Sequence, residues 1–248
     1  MVVRVARFIA AFGLLLLTVA TAATGRADTR VDLKLVLAVD VSGSVNELRF
    51  ELQKRGYVQA FRDARVLRAI LSGPTQSIAV SMTQWTGPAL QVQVVPWMRI
   101  RDEASMHAFA DAIERSTRHL FSGGTSISGA IDHAARVLAQ SPFDGPRSVI
   151  DVSGDGANNR GRPATAARDE AVAAGIVING LPILELDLTL DEHYLRNVVG
   201  GPNSFMIPAG TFAEFADAVL RKLIIEIAGA EPGRVRVAAD AKKGCERC

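Results

Sequence analysis

One stretch, Val31-Asp-Leu-Lys-Leu-Val-Leu-Ala-Val-Asp40-Val-Ser42-Gly-Ser44-Val, limits what this chain can fold into. Its aliphatic, β-branched run has the length and composition of a strand buried on both faces. Such strands belong to parallel sheets with helices on either side, and those sheets hold ligands at the carboxyl ends of their strands. The run stops at one aspartate and two serines at alternate positions. Continued extension would point Asp40, Ser42 and Ser44 the same way. An acid and two hydroxyls gathered there suit a hard cation.

The rest of the chain alternates helix and strand patterns. Ser44-Val-Asn-Glu47 has capping-box spacing, opening a helix with Leu48, Leu52 and Phe61 on one face. A short helix over 64–71 ends at Gly73-Pro74. Strands are expected at 78–85 and 90–95, turned by Gly87-Pro88, and Gln91 and Gln93 alternate with Val92 and Val94 in the second. That alternation, with Pro96 beside it, marks a hairpin at the sheet edge, wet on one face. Asp102 opens a helix with Met106, Phe109 and Ile113 inward, and a glycine-rich loop through Thr125 enters another with Ile127, Ile131 and Leu138 inward.

Strands follow at 148–153, 176–184 and 204–207, with an alanine-rich helix over 163–174 between the first two. Thr189 with Glu192, and Thr211 with Glu214, have capping-box spacing. The second opens the best amphipathic helix, with Phe212, Phe215, Ala216, Val219, Leu220, Leu223 and Ile227 inward. These six strands and their helices predict an α/β doubly wound, mostly parallel sheet covered on both faces. No linker interrupts residues 28–228, which form one domain.

The two ends read differently. Arg4 and Arg7 precede an apolar run over 8–20 and small residues to Ala27, the order of a secretory signal peptide cleaved after Ala27. Residues 229–248 lack periodicity and read as a flexible tail carrying both cysteines, Cys245 and Cys248. A redox Cys-x-x-Cys belongs beside a strand–helix unit, so this pair points to a small loop or a cross-link in an oxidising compartment. A net charge of +2 gives no argument for nucleic acid.

Three polar loops fall at the predicted carboxyl ends of strands: after Asp40, at Thr125, and at Asp155. Asp40, Ser42, Ser44, Thr125 and Asp155 offer only oxygen, which selects Mg2+ or Mn2+ before Zn2+. Each also has a plain structural use: Ser44 and Thr125 as helix caps, Asp155-Gly156 as a turn.

Together the three pieces resemble the von Willebrand factor type A (vWA) domain over nearly the whole of 31–227. The resemblance implies a Rossmann-like fold with its third strand antiparallel at one edge. It also implies a metal-ion-dependent adhesion site built from Asp40-Val-Ser42-Gly-Ser44, Thr125 in Gly-Gly-Thr, and Asp155. The family usually passes from Ser or Thr straight into Asp-Gly, whereas Gly154 stands here between Ser153 and Asp155. Asp151 is the fallback donor.

The resemblance implies a small exported, periplasmic or secreted binding module, in which the cation captures an Asp or Glu of a partner protein. The alternatives are a metal-free interaction domain with a decayed site and a metal-dependent hydrolase. No nucleophile elbow, Walker loop or His-Glu-x-x-His supports an enzyme, and His107, His119, His133 and His193 are scattered without ligand spacing. The segment Asn158-Asn-Arg160-Gly-Arg162 is expected to border the site with two guanidinium groups and two amides.

Overall fold

The computed structural model describes residues 29–120 and 122–229. The expected leader, residues 230–248 with both cysteines, and Phe121 lie outside the described residues. Among those described, no helix is long and apolar enough to cross a membrane.

Five strands form the sheet: β1 (Leu33–Asp40), β2 (Ile78–Trp85), β3 (Gln91–Ile100), β4 (Ser148–Gly154) and β5 (Ile176–Pro182). Their order is β3-β2-β1-β4-β5, and all neighbours are parallel except β2 and β3. The antiparallel edge lies where the glutamine alternation places it, although β3 runs on through Pro96 to Ile100. The chain leaves β1 for β2 on one side and later returns to β4 on the other. The order therefore reverses beside β1, and the end of that strand overlooks the crevice.

The expected sixth strand is not part of the sheet. Gly180 N–H donates to the Phe205 carbonyl, Ile207 N–H to Gly180, Ala209 N–H to Pro182 and Leu184 N–H to Ala209. The next rung would need an N–H at residue 182, and Pro182 has none. The ladder breaks into isolated bridges at Gly180–Met206 and Ile183–Ala209.

Helices cover both faces. Leu33, Leu35, Leu37 and Val39 of β1 pack with α1 (Glu47–Ala60), α2 (Ala64–Leu71), α3 (Glu103–Arg115) and α7 (Phe215–Ala228). Val36 and Ala38 face α4 (Ile127–Ala139), α5 (Ala164–Ala173) and α6 (Leu190–Asn197). The expected inward faces of α3 and α4 are buried. Along α1 the expectation fails at Leu48, which is 69% exposed; Phe50, Gln53 and Tyr57 point inward instead. The helix also starts two residues later than the Ser44 box implies.

Gly56 lets α1 meet α7. A Cβ there would lie 2.7 Å from the Phe215 ring and 3.2 Å from the Ala216 Cα, and the latter is backbone that cannot swing aside. Gly56→Ala is expected to cost about 1–2 kcal/mol, the overpacking exceeding the gain in helix propensity. Urea denaturation measures it, and a stabilised variant would show that the helices have room to part.

Two charges on α7 interrupt its apolar stripe. Lys222 is fully buried, with its ammonium 2.7 Å from Asp151 Oδ1 and 3.2 Å from Glu226 Oε1. Asn179 Nδ2 donates to the same Glu226 oxygen at 2.7 Å. This ionic cluster stands between α7 and strands β4 and β5.

Candidate metal centre

Asp40 is the last residue of β1, and the chain turns at once instead of staying extended. Val45 N–H donates back to the Ser42 carbonyl at 3.1 Å, closing a tight turn. Asp40 Oδ1 accepts the Ser42 N–H at 2.7 Å, and the Ser42 and Ser44 hydroxyls lie 3.2 Å apart. The three side chains converge through a turn rather than through strand periodicity.

Ser44 does not cap α1. Asn46 does, its Oδ1 accepting the Arg49 N–H at 3.0 Å. The freed Ser44 hydroxyl donates to Asp155 Oδ1 at 2.6 Å. The second loop shows the same substitution of roles. Ser126, not Thr125, caps α4, accepting the Gly129 N–H at 3.1 Å. Thr125 is buried, and its hydroxyl lies 3.6 Å from where a Gly156 Cβ would sit, beside the Asp155 turn. At α6 the Thr189 side chain makes no cap bond; its hydroxyl donates to Asp187.

Gly154 does not draw Asp155 away. It extends β4 by one residue, so the carboxylate emerges just past the strand end. Asp151 is elsewhere: fully buried in the α7-facing layer and held by Lys222. The structure therefore links Asp40, Ser42, Ser44 and Asp155 in one polar chain, sets Thr125 beside it, and leaves Asp151 out.

Neighbouring groups fix these loops, and two of them, Arg49 and Arg118, are not apparent from the sequence. Arg49 donates to the Ser44 carbonyl and to Glu185, both at 2.8 Å. Arg118 donates to the carbonyls of Val41 and Ser42 at 2.9 and 3.0 Å. Asn159 Oδ1 accepts the Thr125 N–H, and Asn158 Oδ1 the Ser128 N–H. The two amides thus brace the Thr125 loop instead of forming a rim. Arg162 is likewise withdrawn, paired with Asp132 and Glu170. Most of these contacts join residues far apart in sequence, such as Arg49 with Glu185 and Arg118 with Val41, and no local pattern announces those.

The electrostatics are those of an incomplete acceptor set. Asp40 Oδ2 and Asp155 Oδ2 are buried and have no hydrogen-bond partner among the described residues. Burial first, and then the Asp155 charge, pushes the Asp40 carboxyl up to about 7, against the Ser42 N–H. Burial raises Asp155 too, opposed by the Ser44 hydroxyl and Arg49. Two repelling carboxylates under an exposed Gly43-Ser44 tip fit an added positive charge. Among the described residues no three His, Cys, Asp or Glu side chains form a metal-holding group. The donors here are two carboxylates and three hydroxyls, a hard-oxygen set.

Residues 30–231 match the family described as "Protein of unknown function (DUF1194)". The chain belongs to the DUF1194 family. Its fold is that of the vWA domain. The vWA protein from Catenulispora acidiphila is 17% identical with a TM-score of 0.52, over 80% of this chain and 43% of that one. Proximal thread matrix protein 1 of the mussel byssus is 15% identical at a TM-score of 0.58, covering 81% and 49%. A second structure of that protein, described as having a zinc-occupied MIDAS motif, is 14% identical at a TM-score of 0.55, covering 81% and 47%. The pilus adhesin SpaC of Lactobacillus rhamnosus GG is 14% identical at a TM-score of 0.56, covering 80% and 31%. This chain spans less than half the length of each of these proteins. No curated protein matches its sequence.

Proposed function

We propose that this DUF1194 protein is an exported, metal-ion-dependent protein-binding module. Asp40, Ser42, Ser44, Thr125 and Asp155 would hold one Mg2+ or Mn2+, and the cation would capture an Asp or Glu of a partner protein. One observation carries the reading: two buried carboxylates, each with an oxygen unpaired among the described residues, are tied to one solvent-exposed loop tip, Asp40 by the Ser42 N–H and Asp155 by the Ser44 hydroxyl. Leaving such oxygens unpaired costs free energy that a cation would recover. A site with few anionic donors also leaves charge on the ion for an outside carboxylate. The likeness to a matrix protein with a metal-occupied site, and to a pilus adhesin, supports the same class of function. Export rests on the leader over 1–27.

Titration calorimetry of residues 28–248 is expected to show one Mg2+ or Mn2+ per chain, lost in Asp155→Ala and kept in Asp151→Asn. A pull-down from the exported fraction should yield proteins that EDTA releases. No heat at millimolar Mg2+ and Mn2+ removes the metal site, and partners retained in EDTA remove the metal-mediated mechanism.

A further inference from the structure

Tyr194 is a further buried group with an unused polar atom at this centre. Its side chain is fully buried and its hydroxyl has no partner among the described residues. The ring reaches from α6 across two glycines on adjacent strands. A Cβ on Gly180 would lie 2.7 Å from the ring Cδ1, and one on Gly154 would lie 3.0 Å from the hydroxyl. That same Gly154 Cβ would lie 2.9 Å from Asp40 Oδ2, which also lacks a partner. A buried donor and a buried acceptor, neither paired among the described residues, thus both lie within 3.0 Å of the point that a Gly154 Cβ would occupy. Buried polar atoms in native proteins are paired, directly or through water.

We infer that Tyr194 is a positioning residue for the metal centre. Its phenolic O–H is donated to Asp40 Oδ2, directly or through one water, across the gap that Gly154 leaves open. Asp40 Oδ1 is already held by the Ser42 N–H, so this second bond would fix the carboxylate plane. The extra glycine before Asp155 then has a use: a Cβ at 154 would crowd both groups, 3.0 Å from the hydroxyl and 2.9 Å from Asp40 Oδ2. The inference rests on the metal-site reading, and its test separates the two.

The protein has two tyrosines, and Tyr57 donates instead to Ser153 Oγ at 3.2 Å. Tyr194→Phe keeps the ring and removes only the hydroxyl. It is expected to weaken Mg2+ binding about 10-fold by calorimetry, with an unchanged near-UV dichroism of the tryptophans. Mg2+ should produce a tyrosine difference band in the wild type and in Tyr57→Phe that is missing from Tyr194→Phe. Equal Mg2+ affinity in Tyr194→Phe, or a band that survives in it, overturns the inference while the metal site stands. If the wild type takes up no metal, the pair is read without it. Asp40→Asn should then shift the Tyr194 band in EDTA, and no shift overturns the inference on its own.

Discussion

Asp40→Asn is expected to lose at least about 100-fold in Mg2+ affinity and yet to give a more stable metal-free protein, since a ligand should matter more than the 10–100-fold typical of its supporting residues. The substitution preserves shape. An asparagine Oδ1 can still accept the Ser42 N–H, and the backbone carbonyl can still receive the Gln53 amide. What disappears is a charge in a fully buried place, close to the second carboxylate of Asp155. Without a cation that charge is a liability, and its removal should add about 1–2 kcal/mol to stability. With a cation the same charge is the main attraction. Calorimetry with Mg2+ and urea denaturation in EDTA measure the opposed effects. A variant that binds Mg2+ normally, or that is less stable than the wild type in EDTA, would show that Asp40 is structural.

Lys222→Met should produce the largest loss of stability, about 3–5 kcal/mol, by stranding two buried carboxylates. Methionine keeps most of the volume, so cavity formation contributes little. Asp151 and Glu226 would lose the only ammonium within 4 Å that the described residues offer them. Adding Asp151→Asn to Lys222→Met should recover part of the loss, because one of the two unpaired charges is then gone. The folded fraction of the single variant should bind Mg2+ as the wild type does, since the cluster is separate from the Asp155 chain. A loss under about 1 kcal/mol would mean that water or a proton already compensates the carboxylates.

The order of strands and helices could be read from the chain because it is written in local periodicity. The apolar run into Asp40 and the glutamine alternation of β3 announce a covered parallel sheet with one wet edge. The loss of the sixth strand is not legible locally, because its ladder needs an N–H that Pro182, on a different segment, lacks. The burial of Lys222 and Glu226 on α7 is not legible either, because a charge in an apolar stripe ordinarily snorkels outward. It is the tertiary partner Asp151, 71 positions away on β4, that makes the inward rotamer of Lys222 favourable.

The polar chain at the site divides in the same way. Asp40, Ser42, Ser44, Thr125 and Asp155 could be picked out as oxygen donors in three loops by residue type and spacing alone. Their roles could not, because each hydroxyl had two possible partners. Ser44 could cap α1 or bond Asp155, and only the fold brings a buried carboxylate within 2.6 Å while Asn46 takes over the cap. Asp151 and Asp155 are chemically identical and four residues apart. Strand alternation sends Asp151 into the α7 layer, where Lys222 neutralises it, and the end of β4 turns Asp155 toward Ser44. Residue chemistry along the chain thus determined which atoms could serve, whereas long-range charge and burial, present only after the layers pack, decided which of them do.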